Sequence, residues 1–188
     1  IELISSKQVQ KEYTAICFGE PLINGRKQKS GIISGVVVKK NGKNEREQTA
    51  VTNFSVEKVW TVEIPAPMPS EQKKTWNGEN VTSTQLSDRS ASLGECNAPL
   101  SERQFLTFSK IRLKLGTGRM HQIRIHLASV GSPICGDDKH GNFKLNKLAK
   151  KHLKIKNLLL CSQKLTIPQK DGKTRAFEIA LPGCFVFP

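Results

Sequence analysis

The segment TGRMHQIRIHLASVGSP, Thr117 to Pro133, limits the possible folds more than any other part of the chain. Met120, Ile123, Leu127 and Val130 recur at helical spacing. Thr117 stands where a helix start wants a cap, Gly131 where a helix end takes a left-handed residue, and Pro133 stops continuation. The pattern predicts one helix whose apolar stripe, Met120 to Leu127, anchors it to a sheet. Arg119, Gln122 and His126 share one flank of that helix, His121 and Arg124 another.

Elsewhere a period of two dominates. KEYTAICFG predicts a strand with Tyr13 and Ala15 on one face and Thr14 and Ile16 on the other. GIISGVVVKKNGK predicts a second, turning at Asn41-Gly42, and QTAVTNFSVEKVW a third. QFLTFSKIRLKLG follows, with Ile111, Leu113 and Leu115 facing one way and Arg112 and Lys114 the other. LLLCSQKLTI and TRAFEIALP close the chain, joined by a hairpin turn at Gln169-Lys170-Asp171-Gly172. PICGDDKHGN reads as a short apolar piece and a turn-rich loop, KLNKLAKKHLKIKN as basic and weakly helical. Strands with one main helix and no βαβ alternation define an α+β class on a mostly antiparallel, mixed sheet.

The stretch from Glu63 to Arg103 is rich in Pro, Ser, Thr, Asn and Gly and has no periodicity. Between two long strands it is expected to be a polar, largely mobile surface insertion in a domain that otherwise takes up residues 1–188. Trp76 and Leu86 are too isolated to organise it.

Thirty Lys and Arg against 16 Asp and Glu leave a net charge of +14, which favours a polyanionic partner, most commonly nucleic acid. Cys17, Cys96, Cys135, Cys161 and Cys184 are odd in number and contain no CxxC pair. That speaks against a disulfide framework and a structural zinc site, and for a reducing compartment, the cytoplasm or an organelle. No apolar run approaches membrane-spanning length, and no signal peptide opens the sequence. The opening IELISSKQVQKEY lacks an initiator Met and enters strand-like sequence at once, as expected of the interior of a longer protein.

Three chemistries can be weighed from residue types. A metal would draw on His121, His126 and His140 with Cys135 or Asp137, yet His121 and His126 are five apart, roughly 140° round a helix, and do not converge. A nucleophilic serine lacks its Gly-x-Ser-x-Gly setting, and no cysteine sits beside a base. Gly116-Thr117-Gly118-Arg119 lacks the length and ending of a Walker loop. Arg119 remains: at a helix's first turn it is electrostatically misplaced unless an anion, carboxylate or phosphate, lies beside it.

TGRMHQIRIHLASVGSPICGDDKHG resembles the long motif of the RluA-type pseudouridine synthases, close to TGR-x-HQIR-x-H followed by G-x-PI-x-GD and a further glycine. VQKEYTAICFGEP is similar to the family's tyrosine strand, QTAVTNFSV to its Ala-x-Thr strand and LLLCSQKLTIP to its late Leu-rich strand, in the same order. The resemblance implies an isomerase that breaks the uracil N1–ribose C1′ bond in structured RNA, most commonly ribosomal RNA, and rejoins the base through C5. It implies no metal and no cofactor. Tyr13 is then the tyrosine that packs on the base and handles the C5 proton, and Arg119 the basic partner of an essential aspartate. Leu159 or Leu160 is the apolar residue under the base; His121, Gln122 and Arg124 support the pocket or contact RNA. A flipped uracil needs such an aromatic platform, and a carboxylate in an apolar pocket needs a cation to stay charged.

The family's aspartate sits in a His-Arg-Leu-Asp motif upstream of the tyrosine strand, and these 188 residues contain none. Asp88, in LSDRS, lies downstream and does not match. His140 stands where a tyrosine is usual, and Cys161-Ser162 where His-Ala is usual. The expectation is the C-terminal part of a synthase catalytic domain, monomeric, RNA-binding, and inactive by itself. The competing readings are a non-catalytic RNA-binding protein derived from a synthase and, more weakly, a DNA-binding module.

Overall fold

A computed structural model describes residues 9–41, 44–65, 103–169 and 171–185. Among the described residues eight strands occur in chain order: β1 (Gln10–Phe18), β2 (Leu22–Ile23), β3 (Arg26–Lys27), β4 (Ser30–Asn41), β5 (Asn44–Pro65), β6 (Arg103–Leu115), β7 (Leu160–Pro168) and β8 (Thr174–Glu178). Two helices, α1 (Gln122–Ser129) and α2 (Phe143–Leu153), lie between β6 and β7. Six strands form one sheet in the order β4-β5-β6-β1-β7-β8, and β2 and β3 form a small hairpin. The pairs β4/β5, β1/β6, β1/β7 and β7/β8 are all antiparallel. This is the α+β class expected, with a second helix where only weak helicity was read.

The chain divides into two compact units, Ile1–Val62 with Leu106–Pro188, and Glu63–Phe105. In the second, Arg103 Nε lies 3.4 Å from Glu63 Oε1. The insertion expected at 63–103 falls mostly at residues 66–102, outside the described residues, as do residues 42 and 43 of the expected turn at Asn41-Gly42.

The core lies between α1 and the centre of the sheet. Ile123 and Leu127 of α1 cluster with Ala15 and Cys17 of β1, Ile33 of β4, Phe54 of β5, Ile111 and Leu113 of β6, and Ile134. Alternation sends Phe18 to the opposite face, where its ring centroid is 5.4 Å from that of Phe108. Thr14 to Phe18 is consequently buried throughout. Ile134 bridges Cys17, the Cys135 amide donates to Ile16 O, and the Leu159 amide donates to Cys135 O. The apolar piece read in PICG is therefore a connector threaded between β1 and the start of β7.

Two sequence expectations about α1 need correction. Its first residue is Gln122, with His121 in the capping position at φ 56° and no capping side chain. Thr117 instead accepts a hydrogen bond from the Val51 amide across to β5, at 3.0 Å. Met120 is 63% exposed and stands outside the anchoring stripe, which reduces to Ile123 and Leu127 with partly buried Val130. The β2–β3 hairpin was not read from sequence, although Asn24-Gly25, both at positive φ, is the two-residue turn that such hairpins prefer.

Helix α2 starts at Asn142, whose side chain accepts from the Leu145 amide, and ends at Lys154 in the left-handed region. The loop before it depends on two glycines. A Cβ at Gly136, which has φ +75°, would fall on the Asn157 carbonyl, and a Cβ at Gly141 would fall on the Asp137 carbonyl. Nothing approaches within 4 Å of a Cβ placed at Gly118. We therefore expect Gly136→Ala to lose about 3 kcal/mol or more of unfolding free energy, from overpacking plus left-handed strain. Gly118→Ala should change it by less than about 1 kcal/mol. Urea titration of both variants checks the contrast.

Candidate active site

Two of the segments singled out in the sequence, TGRMHQIRIH and QTAVTNFSV, meet where the turn 116–121 crosses β5. Gln122, 2% exposed, holds them together. Its Oε1 accepts from Thr117 Oγ1 at 2.7 Å and from the Arg119 amide at 3.0 Å. Its Nε2 donates to Val51 O and to Thr52 Oγ1, both at 2.9 Å. All four hydrogen-bonding positions of the carboxamide are used inside the protein. Gln122 thus sets the turn, and so enclosed a side chain is not placed to touch RNA. Thr52 continues the chain to His126, whose Nδ1 lies 2.9 Å from Thr52 Oγ1. Burial lowers the His126 pKa, keeping the ring neutral at neutral pH.

On the other side of α1, Arg124 forks onto Asp137. Its Nε donates to Asp137 Oδ2 at 2.8 Å and its terminal nitrogen to Oδ1, with the side chains 12% and 1% exposed. The Lys139 and His140 amides also donate to Asp137 Oδ1, at 2.9 and 2.8 Å. Burial by itself would raise the Asp137 pKa. The Arg124 hydrogen bonds and the two amides outweigh it and hold the carboxyl at about 2. Arg124 is therefore committed to an internal carboxylate, with a further contact to Asp138 at 3.0 Å, and orders the loop rather than reaching outward. In the sequence Asp137 is the acid of the motif's G-D pair and a possible metal ligand, with no structural partner assigned to it. The available signal was an acid between two glycines in a chain short of acids.

The same loop carries His140, whose Nε2 lies 3.2 Å from His121 Nδ1. Burial lowers the His121 pKa, and the charges of Arg124, His140 and Lys139 lower it further. His126 faces Thr52 while His121 faces His140, so the histidines weighed as metal ligands point to different partners. Among the described residues no three His, Cys, Asp or Glu side chains gather.

Tyr13 and the leucines sit across β1 and β7. Tyr13 pairs with Ser162 and Ala15 with Leu160, so alternation puts Tyr13 and Leu160 on one sheet face, the face toward α1. Both are partly buried against the core. Leu159 precedes the strand and is 2% exposed, which makes Leu160 the better placed of the two. The β1–β7 register shifts between Glu12 and Tyr13, a bulge that leaves Gln163 opposite no residue. Thr14 Oγ1 donates to Gln163 Oε1 at 2.6 Å there. A bulge re-aims neighbouring side chains, and here it adjoins Tyr13. Arg119 is exposed, and among the described residues its guanidinium has no hydrogen-bond or ion-pair partner. It lies in the turn before α1, not in the first helical turn.

The sequence model of the family described as RNA pseudouridylate synthase matches residues 2–129. The chain belongs to this family. The match covers β1 to β6 and α1, hence Tyr13, Arg119 and the whole Gln122 network. Among curated relatives, "tRNA pseudouridine synthase C" of Salmonella typhi is 34% identical over 73 residues, 39% of this chain and 28% of that protein. "Ribosomal large subunit pseudouridine synthase D" of Blochmanniella floridana is 41% identical over 58 residues, 30% of this chain and 18% of that protein. The chain thus matches under a third of the length of either. The solved structure of "Human RNA Pseudouridylate Synthase Domain Containing 4" covers 98% of this chain, which spans 62% of it, at a TM-score of 0.56 and 19% identity. That likeness places the synthase fold on the α+β architecture.

A carboxyl held at about 2 contributes stability that is present above its unfolded pKa, near 3.8, and is lost as pH falls through about 2. The difference amounts to roughly 2 kcal/mol. Asp137→Asn should destabilise at neutral pH by about 3 kcal/mol, because it removes the buried partner of Arg124 and leaves that charge only the exposed Asp138. Its deficit relative to the parent should shrink as pH falls from about 5 toward 2. Thermal unfolding of both proteins across that range measures the two slopes.

Proposed function

We propose that the protein carrying these residues isomerises uridine to pseudouridine in structured RNA, ribosomal RNA being the substrate class. The observation that carries this reading is the contrast between the motif's two arginines. Arg124 is consumed by Asp137, whereas Arg119 stands exposed on a turn fixed by Gln122, a cation without an internal anion among the described residues. A catalytic carboxylate in an apolar pocket would drift to its neutral form, and a planar guanidinium in this position holds it charged. Tyr13 offers its ring to the flipped base, and Leu160, on the same sheet face, offers an apolar wall. His121 lines the turn, while Gln122 and Arg124 support it from within. The relatives' names, which include tRNA and ribosomal large-subunit synthases, support an RNA substrate.

The His-Arg-Leu-Asp motif of the family is not among these 188 residues, so by themselves they should form no pseudouridine. The same observation favours a second reading, an RNA-binding protein derived from a synthase.

Mass spectrometry of RNA incubated with the full-length protein separates the two. Pseudouridine should form, and Tyr13→Phe and Arg119→Ala should each slow it by about 100-fold or more. The Arg119 variant should melt with the parent, since its exposed guanidinium makes no hydrogen bond or ion pair among the described residues. RNA binding without any pseudouridine would replace the enzyme reading with the second one.

A further inference from the structure

Helix α2 and the residues just after it form a surface one-sided in charge. From Phe143 to Asn157 there are six lysines and one histidine, with no Asp or Glu. All six lysines are exposed, and none has a carboxylate partner among the described residues. Lys144, Lys147, Lys151 and the capping Lys154 follow a spacing of three, seven and ten residues, which keeps them on one flank. The apolar side chains Leu145, Leu148, Ala149 and Leu153 are buried or half-buried on the other.

Structural needs do not account for this charge. Lysines in the last turn complement the helix dipole, which explains Lys150 and Lys151. Lys144 stands at the opposite end, where a cation is unfavourable and the first turn holds no acid. Lys147 and Lys151 are four apart and repel each other. An external polyanion would offset both effects. At 1.5 Å per residue the ridge from Lys144 to Lys154 is about 15 Å long. That length lets it face several successive phosphates of one strand.

Two further features fit a nucleic acid strand. Phe143, at the head of the ridge, is 82% exposed and offers a stacking face. Beside it lies a cavity of about 200 Å³, lined by Phe143, Lys150, Lys156 and Asp138 among others. The Asp138 carboxylate there is already held by Arg124. The cavity is smaller than a typical small-molecule site, so it suits one ring or one phosphate rather than a whole ligand. A membrane surface is the poorer fit, because the helix turns its apolar face inward and shows outward only Phe143.

We infer that α2 is a docking ridge for the phosphate backbone of RNA lying outside the target uridine, with Phe143 stacking on one unpaired base. This rests on the RNA-modifying reading given above. The ridge is set rigidly against the candidate site. Asn146 of α2 donates to the Asp137 carbonyl at 2.7 Å and accepts from the Gly136 amide at 2.8 Å. The Asp137 carboxylate in turn is gripped by Arg124 of α1. RNA on the ridge is thereby held at a fixed offset from the turn that carries Arg119.

The test uses the full-length protein and a fluorescent RNA hairpin with single-stranded flanks and loop uridines. The triple variant Lys144→Gln, Lys147→Gln, Lys151→Gln should bind about 10-fold or more weakly near physiological salt. Its log K against log salt should flatten by about two to three. Removing the same charge elsewhere, with Arg26→Gln, Lys29→Gln and Lys173→Gln, should leave the slope close to that of the parent. Phe143→Ala should weaken binding by roughly fivefold or more without altering the slope. Equal losses from both triple variants would reduce the ridge to a net-charge effect and overturn the proposal. So would an unchanged α2 triple in a protein that still forms pseudouridine, which leaves the active-site reading standing. Loss of binding to anionic-lipid vesicles with RNA affinity unchanged would assign the ridge to membranes instead. If the parent neither binds nor modifies the hairpin, both readings fall.

Discussion

The carboxamide of Gln122 is the joint on which the rest of the site depends. Four hydrogen bonds from one buried side chain tie a turn, a helix start and a central strand together. An unmade hydrogen bond in such a place costs about 1–3 kcal/mol, so the arrangement is favourable only when every partner is present. Thr117, the Arg119 amide, Val51 and Thr52 supply those partners. This explains why TGRMHQ and QTAVT, some seventy positions apart, both carry polar residues on otherwise apolar elements. It also explains how His121 is held in a left-handed conformation that few side chains adopt.

A second clamp works by charge where the first works by neutral hydrogen bonds. Asp137 is nearly enclosed, and an enclosed carboxylate is tolerable only when its oxygens are occupied by donors. Arg124 and two loop amides occupy them. The consequence runs in both directions along the chain. Toward α1, Arg124 is immobilised; toward α2, Asn146 reads the backbone of the same loop. One arginine of the motif is spent on architecture, which leaves Arg119 as the one that faces outward.

Much of this arrangement was legible beforehand. Period-two alternation identified the strands of the main sheet, because a sheet with a buried face must alternate. Ile123, Leu127 and Val130 identified α1, because a helix packed on a sheet must repeat its apolar residues. Errors arose where two local signals overlapped. Thr117 looks like a helix cap in sequence, but its hydroxyl is drawn to the Val51 amide on a strand distant in sequence. Met120 fits the helical spacing but precedes the helix. Helix α2 looked weak because lysines and other polar residues interrupt its apolar ones, and its stability comes from the Asn142 cap and the packing of Ala149.

The sequence by itself determined the large positive charge and the order of the motifs, and the likeness of those motifs to the synthase family supplied an aromatic ring, apolar walls and a guanidinium as site groups. The sequence carries charge and motif order along the chain, and both can be read without a fold. It did not determine which polar side chains are spent holding the fold. Gln122 and Arg124 look as available as Arg119 along the chain. Only the packing of α1 on β5, and of the Gly136–Gly141 loop against α1, turned the first two inward and left the third exposed. Partners for a buried polar group come from distant segments, and only the folded chain brings them within hydrogen-bonding reach.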